Sequence, residues 1–137
     1  MSYKIINNFL DKEHLSVIQG LIFDTEFPWR RREELVTNAN DGIYFTHCFY
    51  NDMESTSPNF TTVIKPILIK LKCIAPIQIR SNMFISKLFK KSDFHTDYKN
   101  TKSKTAIFYL NTCDGGTEIK IEDKIKFIKA EENKMLI

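Results

Sequence analysis

The sequence predicts a single α+β domain over residues 1–137, with two amphipathic helices followed by a run of short strands. Helical periodicity of the apolar residues is confined to the first half of the chain, and β-branched and aromatic alternation dominates the second half. With 42% hydrophobic and 27% charged residues, the composition is that of an ordinary globular domain. Helices followed by strands favour an antiparallel sandwich or barrel.

The first elements are a short strand, a helix and a longer strand. Asp11 can cap a helix that ends near Asp24, ahead of Pro28. One face of this helix is apolar and consists of Leu15, Ile18, Leu21 and Ile22. Residues 42–50 are rich in aromatic and β-branched side chains, which predicts a strand.

A second helix is predicted from Ser57 to Leu71. Ser57 is a suitable N-cap, and Pro58 suits the first helical position because proline lacks the N–H that would have no partner there. Pro66 lies inside the same apolar periodicity. Proline removes one backbone donor and clashes with the preceding turn, so we expect a kink or a break near residues 64–65.

Six short strands are predicted in the second half. They lie at residues 77–89, 94–98, 104–111, 117–121, 124–129 and 134–137. Isoleucines and Phe127 alternate with charged residues on both sides of Glu122 and Asp123. This pattern predicts a hairpin with one apolar and one polar face.

Charge and cysteine content narrow the class of protein. The net charge of +3 is spread along the chain and is too small to indicate nucleic acid, so we interpret Trp29 to Arg32, with Lys87, Lys90 and Lys91, as solvated. Three widely spaced cysteines form neither a disulfide framework nor a zinc knuckle. The apolar runs are too short for a signal peptide or a spanning helix, and we expect a soluble cytoplasmic protein without a membrane partner.

His95 and Asp97 are candidate metal ligands. Residues i and i+2 of a strand point to the same face, so these side chains could reach one cation at about 2 Å. A histidine and a carboxylate, completed by a distant histidine, form the facial triad of iron(II) oxygenases. The spacing alone is common. With 17 acidic residues in 137, an acidic residue falls two positions after one of the three histidines by chance in roughly one such protein in three. The alternative is a partly buried strand histidine beside a solvated aspartate.

The order of motifs that follows resembles a known family. The motifs are His95-Thr96-Asp97, Ile107-Phe108-Tyr109-Leu110-Asn111 and Gly115-Gly116-Thr117. In this order they resemble the prolyl-hydroxylase-type branch of the 2-oxoglutarate/iron(II) oxygenases, particularly its small phage and marine-bacterial members. The resemblance covers most of the chain, and its specific motifs lie after Phe94.

The resemblance implies a double-stranded β-helix, or jelly roll, with the N-terminal helices packed on its sheet. It implies that His95 and Asp97 bind Fe(II), and that the Tyr109 phenol points toward a carboxylate of 2-oxoglutarate; Asn82 is a further candidate for that cosubstrate. The implied partners are 2-oxoglutarate, dioxygen and an unknown substrate, with ascorbate as an accessory reductant. The implied reaction is hydroxylation of a C–H bond with release of succinate and CO2.

The chain departs from this family at its end. The family carries a second histidine on a later strand and a basic residue beyond it, whereas the other histidines here are His14, on a helix, and His47, on an early strand. Residues 135–137 form an apolar strand without a polar tail, so we expect the closing strands and the distal ligand to lie beyond Ile137. Two alternatives remain open: a non-catalytic β-sandwich binding module, and an inactive fragment of the oxygenase.

Overall fold

The computed structural model describes residues 2–33, 35, 42–97 and 102–137, and these form an α+β architecture. The predicted α+β class is confirmed. The described strands make small antiparallel sheets and no closed barrel or jelly roll. The chain forms two compact units, one made of Met1–Gln19 with Thr96–Ile137 and one made of Gly20–His95. Neither described α-helix has the length and apolarity needed to cross a membrane.

The helical elements are α1 (Lys12–Ile22), a π-helical segment (Phe60–Ile64) and α2 (Lys65–Leu71). The strands are β1 (Ile5–Ile6), β2 (Arg30–Arg32), β3 (Gly42–Asn51), β4 (Glu54–Ser55), β5 (Ile79–Phe89), β6 (Ile107–Tyr109), β7 (Gly116–Ile121), β8 (Lys124–Lys129) and β9 (Lys134–Leu136).

The first unit is built around a three-stranded sheet in the order β1-β9-β6. Leu136 pairs with Ile5 on one side and with Ile107 on the other, so β9 is the central strand. Helix α1 starts as predicted, because the Asp11 carboxylate accepts the backbone N–H of His14 at 2.9 Å. The buried apolar residues of this unit are Phe9, Leu10, Leu15, Ile18, Ile128, Ala130, Met135 and Leu136.

Asn133 joins three segments of the first unit. It is 7% exposed and has a left-handed backbone with φ 62°, a conformation that asparagine tolerates better than most residues. Its side-chain oxygen accepts the N–H of Leu10 and its amide donates to the carbonyl of Leu10, both at 2.7 Å. Its backbone N–H donates to the carbonyl of Tyr109 at 2.9 Å, and its carbonyl accepts the N–H of Phe9 at 2.9 Å.

The predicted hairpin exists as β7 and β8, but the prediction of one apolar face is wrong. A two-residue turn at Glu122 and Asp123 places Ile121 directly opposite Lys124. Directly paired residues project to the same face, so the isoleucines of β7 share a face with lysines of β8. Ile125 and Phe127 lie on the other face, where they are 58% and 52% exposed.

The second unit contains a sheet with β3 at its centre. Tyr44 pairs with Arg32 on one side and with Phe84 on the other, so β2 and β5 lie along opposite edges of β3. The short strand β4 pairs with the end of β3, through Tyr50 and Asn51. The predicted strand at residues 42–50 is confirmed, and the strand predicted at 77–89 begins at Ile79.

The predicted helix at Ser57 to Leu71 is interrupted as expected. A π-helical segment occupies Phe60–Ile64, and regular α-helix begins at Lys65. Pro66 lies in the first turn of α2, where its missing N–H cannot bond to the preceding turn. The helix begins later than predicted: Asn59 precedes the first helical residue, and the Ser57 hydroxyl accepts the N–H of Asn59 at 3.3 Å.

The strand predicted at residues 94–98 is wrong for residues 94–97, which have no regular structure; Tyr98 lies outside the described residues. A strand requires a neighbour for its backbone hydrogen bonds, and none of the described strands pairs with this segment. The strand predicted at 124–129 is present with those bounds, and the strands predicted at 104–111, 117–121 and 134–137 are present with adjusted ends.

Candidate functional site

His95 is an exposed residue at the end of the second unit. Its Nδ1 lies 3.0 Å from the carbonyl oxygen of Asp93. Because a carbonyl can only accept, Nδ1 carries the proton in this arrangement, and the lone pair of the neutral imidazole is on Nε2. A bond from the second ring nitrogen to a carbonyl is the usual way in which proteins orient a metal-binding histidine.

Asp97 is exposed and belongs to the first unit. Its Oδ2 accepts the hydroxyl of Thr105 at 3.1 Å. Since residues 94–97 are not a strand, the same-face argument that related Asp97 to His95 has no structural basis. The chemical types of the two candidate ligands are unaffected: an imidazole nitrogen and a carboxylate oxygen.

Tyr109 lies on β6 in the first unit and is half-buried. Its phenol donates to the hydroxyl of Thr117, on β7, at 2.7 Å. Burial raises the pKa of Tyr109 above its ordinary value; the Thr117 hydroxyl, which can also donate to a phenolate, offsets part of this rise. A phenol is protonated at neutral pH even at its ordinary pKa, and the upward shift favours this donor form further.

Thr117 was part of the Gly-Gly-Thr motif, but sequence reasoning assigned it no role. The structure shows that it bonds to the tyrosine of the preceding motif. The signal that could have revealed this pair is chemical: a half-buried tyrosine hydroxyl requires a partner, and Thr117 is a nearby hydroxyl on a β-type segment.

Asn82 lies on β5 in the second unit and is half-buried. It pairs across the sheet with Thr46, whose hydroxyl is 2.9 Å from Asn82 Oδ1 and 3.0 Å from the carbonyl of Ser81. This contact holds the carbonyl end of the amide. Tyr109, the other predicted 2-oxoglutarate residue, belongs to the first unit.

The two remaining histidines lie on a helix and on an early strand, as predicted, and both rings have partners in the structure. His14 is exposed on α1, and its Nδ1 lies 2.6 Å from Oδ2 of Asp11. His47 is buried, with Nε2 2.8 Å from the Ser57 hydroxyl and Nδ1 3.2 Å from the carbonyl of Pro28. Its ring packs against Phe27 and Phe49, with centroids 4.5 and 4.6 Å away.

The described residues contain no group of three or more histidine, cysteine, aspartate or glutamate side chains arranged to hold a metal ion. His95 and Asp97 thus remain a set of two donors within the described part of the chain. Comparison with protein-family models, with curated proteins and with solved structures finds no match.

Proposed function

We propose that this protein is a 2-oxoglutarate- and Fe(II)-dependent oxygenase of the prolyl-hydroxylase-like type, built on a double-stranded β-helix and acting in the cytoplasm. It would oxidise a C–H bond of its substrate and release succinate and CO2. The observation that carries the proposal is the bond between Tyr109 and Thr117, because it joins the two motifs that follow His95 and Asp97 in the family.

The fit of iron to the described residues is incomplete. His95 and Asp97 supply a nitrogen and an oxygen of the kinds that iron(II) accepts, and the Asp93 carbonyl orients the imidazole. A facial triad requires a third protein ligand, and the described residues show no three-donor group.

In this proposal, side chains of the protein recognise a carboxylate of 2-oxoglutarate. A tyrosine phenol is neutral at physiological pH, and burial, which raises the pKa of Tyr109 further, keeps it a hydrogen-bond donor. A carboxylate near β6 would accept a hydrogen bond from the Tyr109 phenol, while the Thr117 hydroxyl turns to donate to the phenol oxygen. Asn82 belongs to the proposal as the second cosubstrate residue, with its amide nitrogen as donor.

The test measures metal binding and turnover on the same chain. Cobalt(II), a visible-absorbing substitute for iron(II), is titrated into the protein, and succinate is measured after addition of iron(II), 2-oxoglutarate and ascorbate in air. Removing a residue that only hydrogen-bonds to a metal ligand lowers the metal affinity of known sites about 10–100-fold. Removing a proposed ligand itself, by His95→Ala or Asp97→Ala, should therefore weaken cobalt binding at least tenfold. His14→Ala is the matched control, because His14 is also an exposed histidine bonded to an aspartate.

The outcomes separate the proposal from its alternatives. Succinate formation that requires iron and His95 supports the oxygenase. Cobalt binding that depends on His95 and Asp97 without any succinate would support the inactive fragment. Equal cobalt binding by the His95→Ala and His14→Ala variants contradicts the metal site itself.

A second candidate is a non-catalytic β-sandwich binding module. It is favoured by the hydrogen bonds that already engage the predicted site residues: Thr105 with Asp97, Thr117 with Tyr109, and Thr46 with Asn82. Such internal bonds give each of these side chains a structural role that requires no ligand. This candidate predicts a cooperatively folding monomer whose calorimetric unfolding temperature is unchanged by iron(II) and 2-oxoglutarate, whereas specific binding of either would raise it.

A further inference from the structure

One face of the sheet in the second unit gathers three arginines that are far apart in the sequence. Directly paired residues of an antiparallel sheet project to the same face. The register pairs Arg30 with Thr46, and Thr46 with Asn82, to form one row across three strands. Arg32, Tyr44 and Phe84 form the next row, and Cys48 with Arg80 a third. We call this surface the arginine face; it is defined by Arg30, Arg32, Arg80, Thr46, Asn82 and Phe84.

The positive charge of this face is not neutralised by neighbours in the sheet. Strands β2, β3 and β5 contain no aspartate or glutamate, and residues 55–92 carry seven lysines and arginines without one acidic residue. Arg30, Arg32 and Arg80 are exposed and form no ion pair with any acidic residue in the described part of the chain. The intervening Arg31 projects to the opposite face and is bound to Glu33 at 2.6 Å.

An aromatic ring stands beside these charges. Phe84 is 48% exposed, yet it is held by stacking on the buried Tyr44, with centroids 5.5 Å apart and an interplanar angle of 25°. Phe89 supports it from a second direction at 4.6 Å. A ring fixed by its neighbours and still half open to solvent can stack on a planar ligand with little loss of side-chain entropy.

The size and polar groups of the face also suit a nucleotide chain. Its three rows span about 14 Å along the strands and about 10 Å across them. The exposed side chains lie on the outer strands, whereas Tyr44 and Thr46 on the central strand are only 4% and 9% exposed. Between the arginines, the Thr46 hydroxyl occupies the carbonyl end of the Asn82 amide, so the amino end is the one available to donate to a base edge.

We propose that the arginine face binds single-stranded nucleic acid, with Arg30, Arg32 and Arg80 on the phosphates and Phe84 stacked on a base. Charge complementarity selects a polyanion. The exposed ring selects unpaired bases, because the bases of a duplex are already stacked on one another. An acidic peptide would use the arginines and leave Phe84 without a role. The proposal does not depend on iron, and the arginine face shares only Asn82 with the proposed oxygenase site.

The test is fluorescence anisotropy with a labelled single-stranded DNA or RNA oligonucleotide of about 12 nucleotides, within the range of known stacking platforms. Each phosphate contact contributes about 0.7 to the slope of log affinity against log salt concentration. Arg30→Ala and Arg32→Ala should each reduce the slope by about 0.7, and adding Arg80→Ala to both should reduce it by about 2. Arg31→Ala is the matched control: it removes the same charge from the same strand on the opposite face and should leave the slope unchanged.

The aromatic contribution is tested separately from charge. Phe84→Leu should weaken binding about 5- to 150-fold without changing the salt slope, since one stacked base is lost. Phe94→Leu is its control, because Phe94 is equally exposed at 48%. A triple arginine-to-lysine variant keeps the charges and should keep the slope, so the proposal stays testable if the triple alanine variant fails to fold.

Three results would overturn the proposal. One is an effect of Arg31→Ala as large as that of Arg30→Ala, which would show diffuse attraction to the whole protein. The second is unchanged oligonucleotide affinity of the Phe84→Leu variant. The third is competition by polyglutamate at the same charge concentration as the oligonucleotide, which would make the ligand an acidic peptide. His95→Ala should leave oligonucleotide binding intact, so failure here is distinct from failure of the proposed oxygenase.

Discussion

Replacement of Asn133 by alanine tests the structural core of the first unit. Alanine removes both side-chain bonds to Leu10, and Leu10 is itself buried, so its N–H and carbonyl lose their partners away from water. Leaving a buried polar group without a partner costs about 1–3 kcal/mol, which gives about 2–6 kcal/mol for the pair. Alanine in the left-handed backbone at φ 62° adds about 1 kcal/mol relative to asparagine. We therefore expect the free energy of unfolding to fall by about 3–7 kcal/mol.

The assay is urea denaturation, and Asn8→Ala is the matched control. Asn8 also has a left-handed backbone, with φ 50°, but it is exposed and makes no side-chain hydrogen bond to another described residue. Its replacement should cost only the backbone term of about 1 kcal/mol. Asn133→Gly should cost about 1 kcal/mol less than Asn133→Ala, because glycine tolerates the left-handed backbone. A loss for Asn133→Ala no larger than that for Asn8→Ala would refute the role assigned to the two side-chain bonds.

Three further predictions concern the hairpin, the interior of helix α1 and the start of that helix. A Cβ on Gly116 would clash with the carbonyl oxygen of Ile128 and lie 2.7 Å from Cζ of Phe127, so Gly116→Ala should destabilise the protein by about 1–3 kcal/mol. Gly20→Ala, whose Cβ would meet nothing within 4 Å, should stabilise α1 by about 0.5–1 kcal/mol; thermal unfolding that ranks the two glycine variants in the opposite order would contradict this reasoning. Bonds from His14, the backbone N–H first, hold the pKa of Asp11 below its ordinary value of 3.8, so its stabilising contribution is complete above that pH and is lost as pH falls through the lowered pKa. Asp11→Asn retains a capping oxygen without a titrating group, and acid titration of its helix signal should show a shallower loss than the parent; identical acid curves would argue against this contribution.

The elements that could be predicted from the sequence are those whose causes are local. Helix α1 follows from the cap at Asp11 and an apolar stripe, and the break before α2 follows from the covalent structure of Pro66. The alternation of apolar and charged residues predicts the hairpin correctly, but it does not predict which residues share a face. The two-residue turn at Glu122 and Asp123 sets the register, and a shift of one residue exchanges the faces of a strand.

The candidate site shows the same division. The sequence supplied the types of side chain at His95, Asp97 and Tyr109, and with them a family resemblance. It did not predict the backbone at residues 94–97, because a strand depends on a partner elsewhere in the chain. Nor did it identify the bond from Tyr109 to Thr117, which depends on how β6 and β7 approach each other.

By itself, the sequence determined the α+β class, the helix start at Asp11 and the break near Pro66, since neighbouring residues decide these features. Only the tertiary structure decided that Arg30, Arg32 and Arg80 share one face with Phe84. In the sequence these arginines belong to separate segments with a modest net charge, and the charge density of a surface depends on strand pairing. The physical reason is that the hydrogen-bonded register of the strands brings together side chains, such as Arg30 and Arg80, that lie some fifty residues apart and that no local pattern relates.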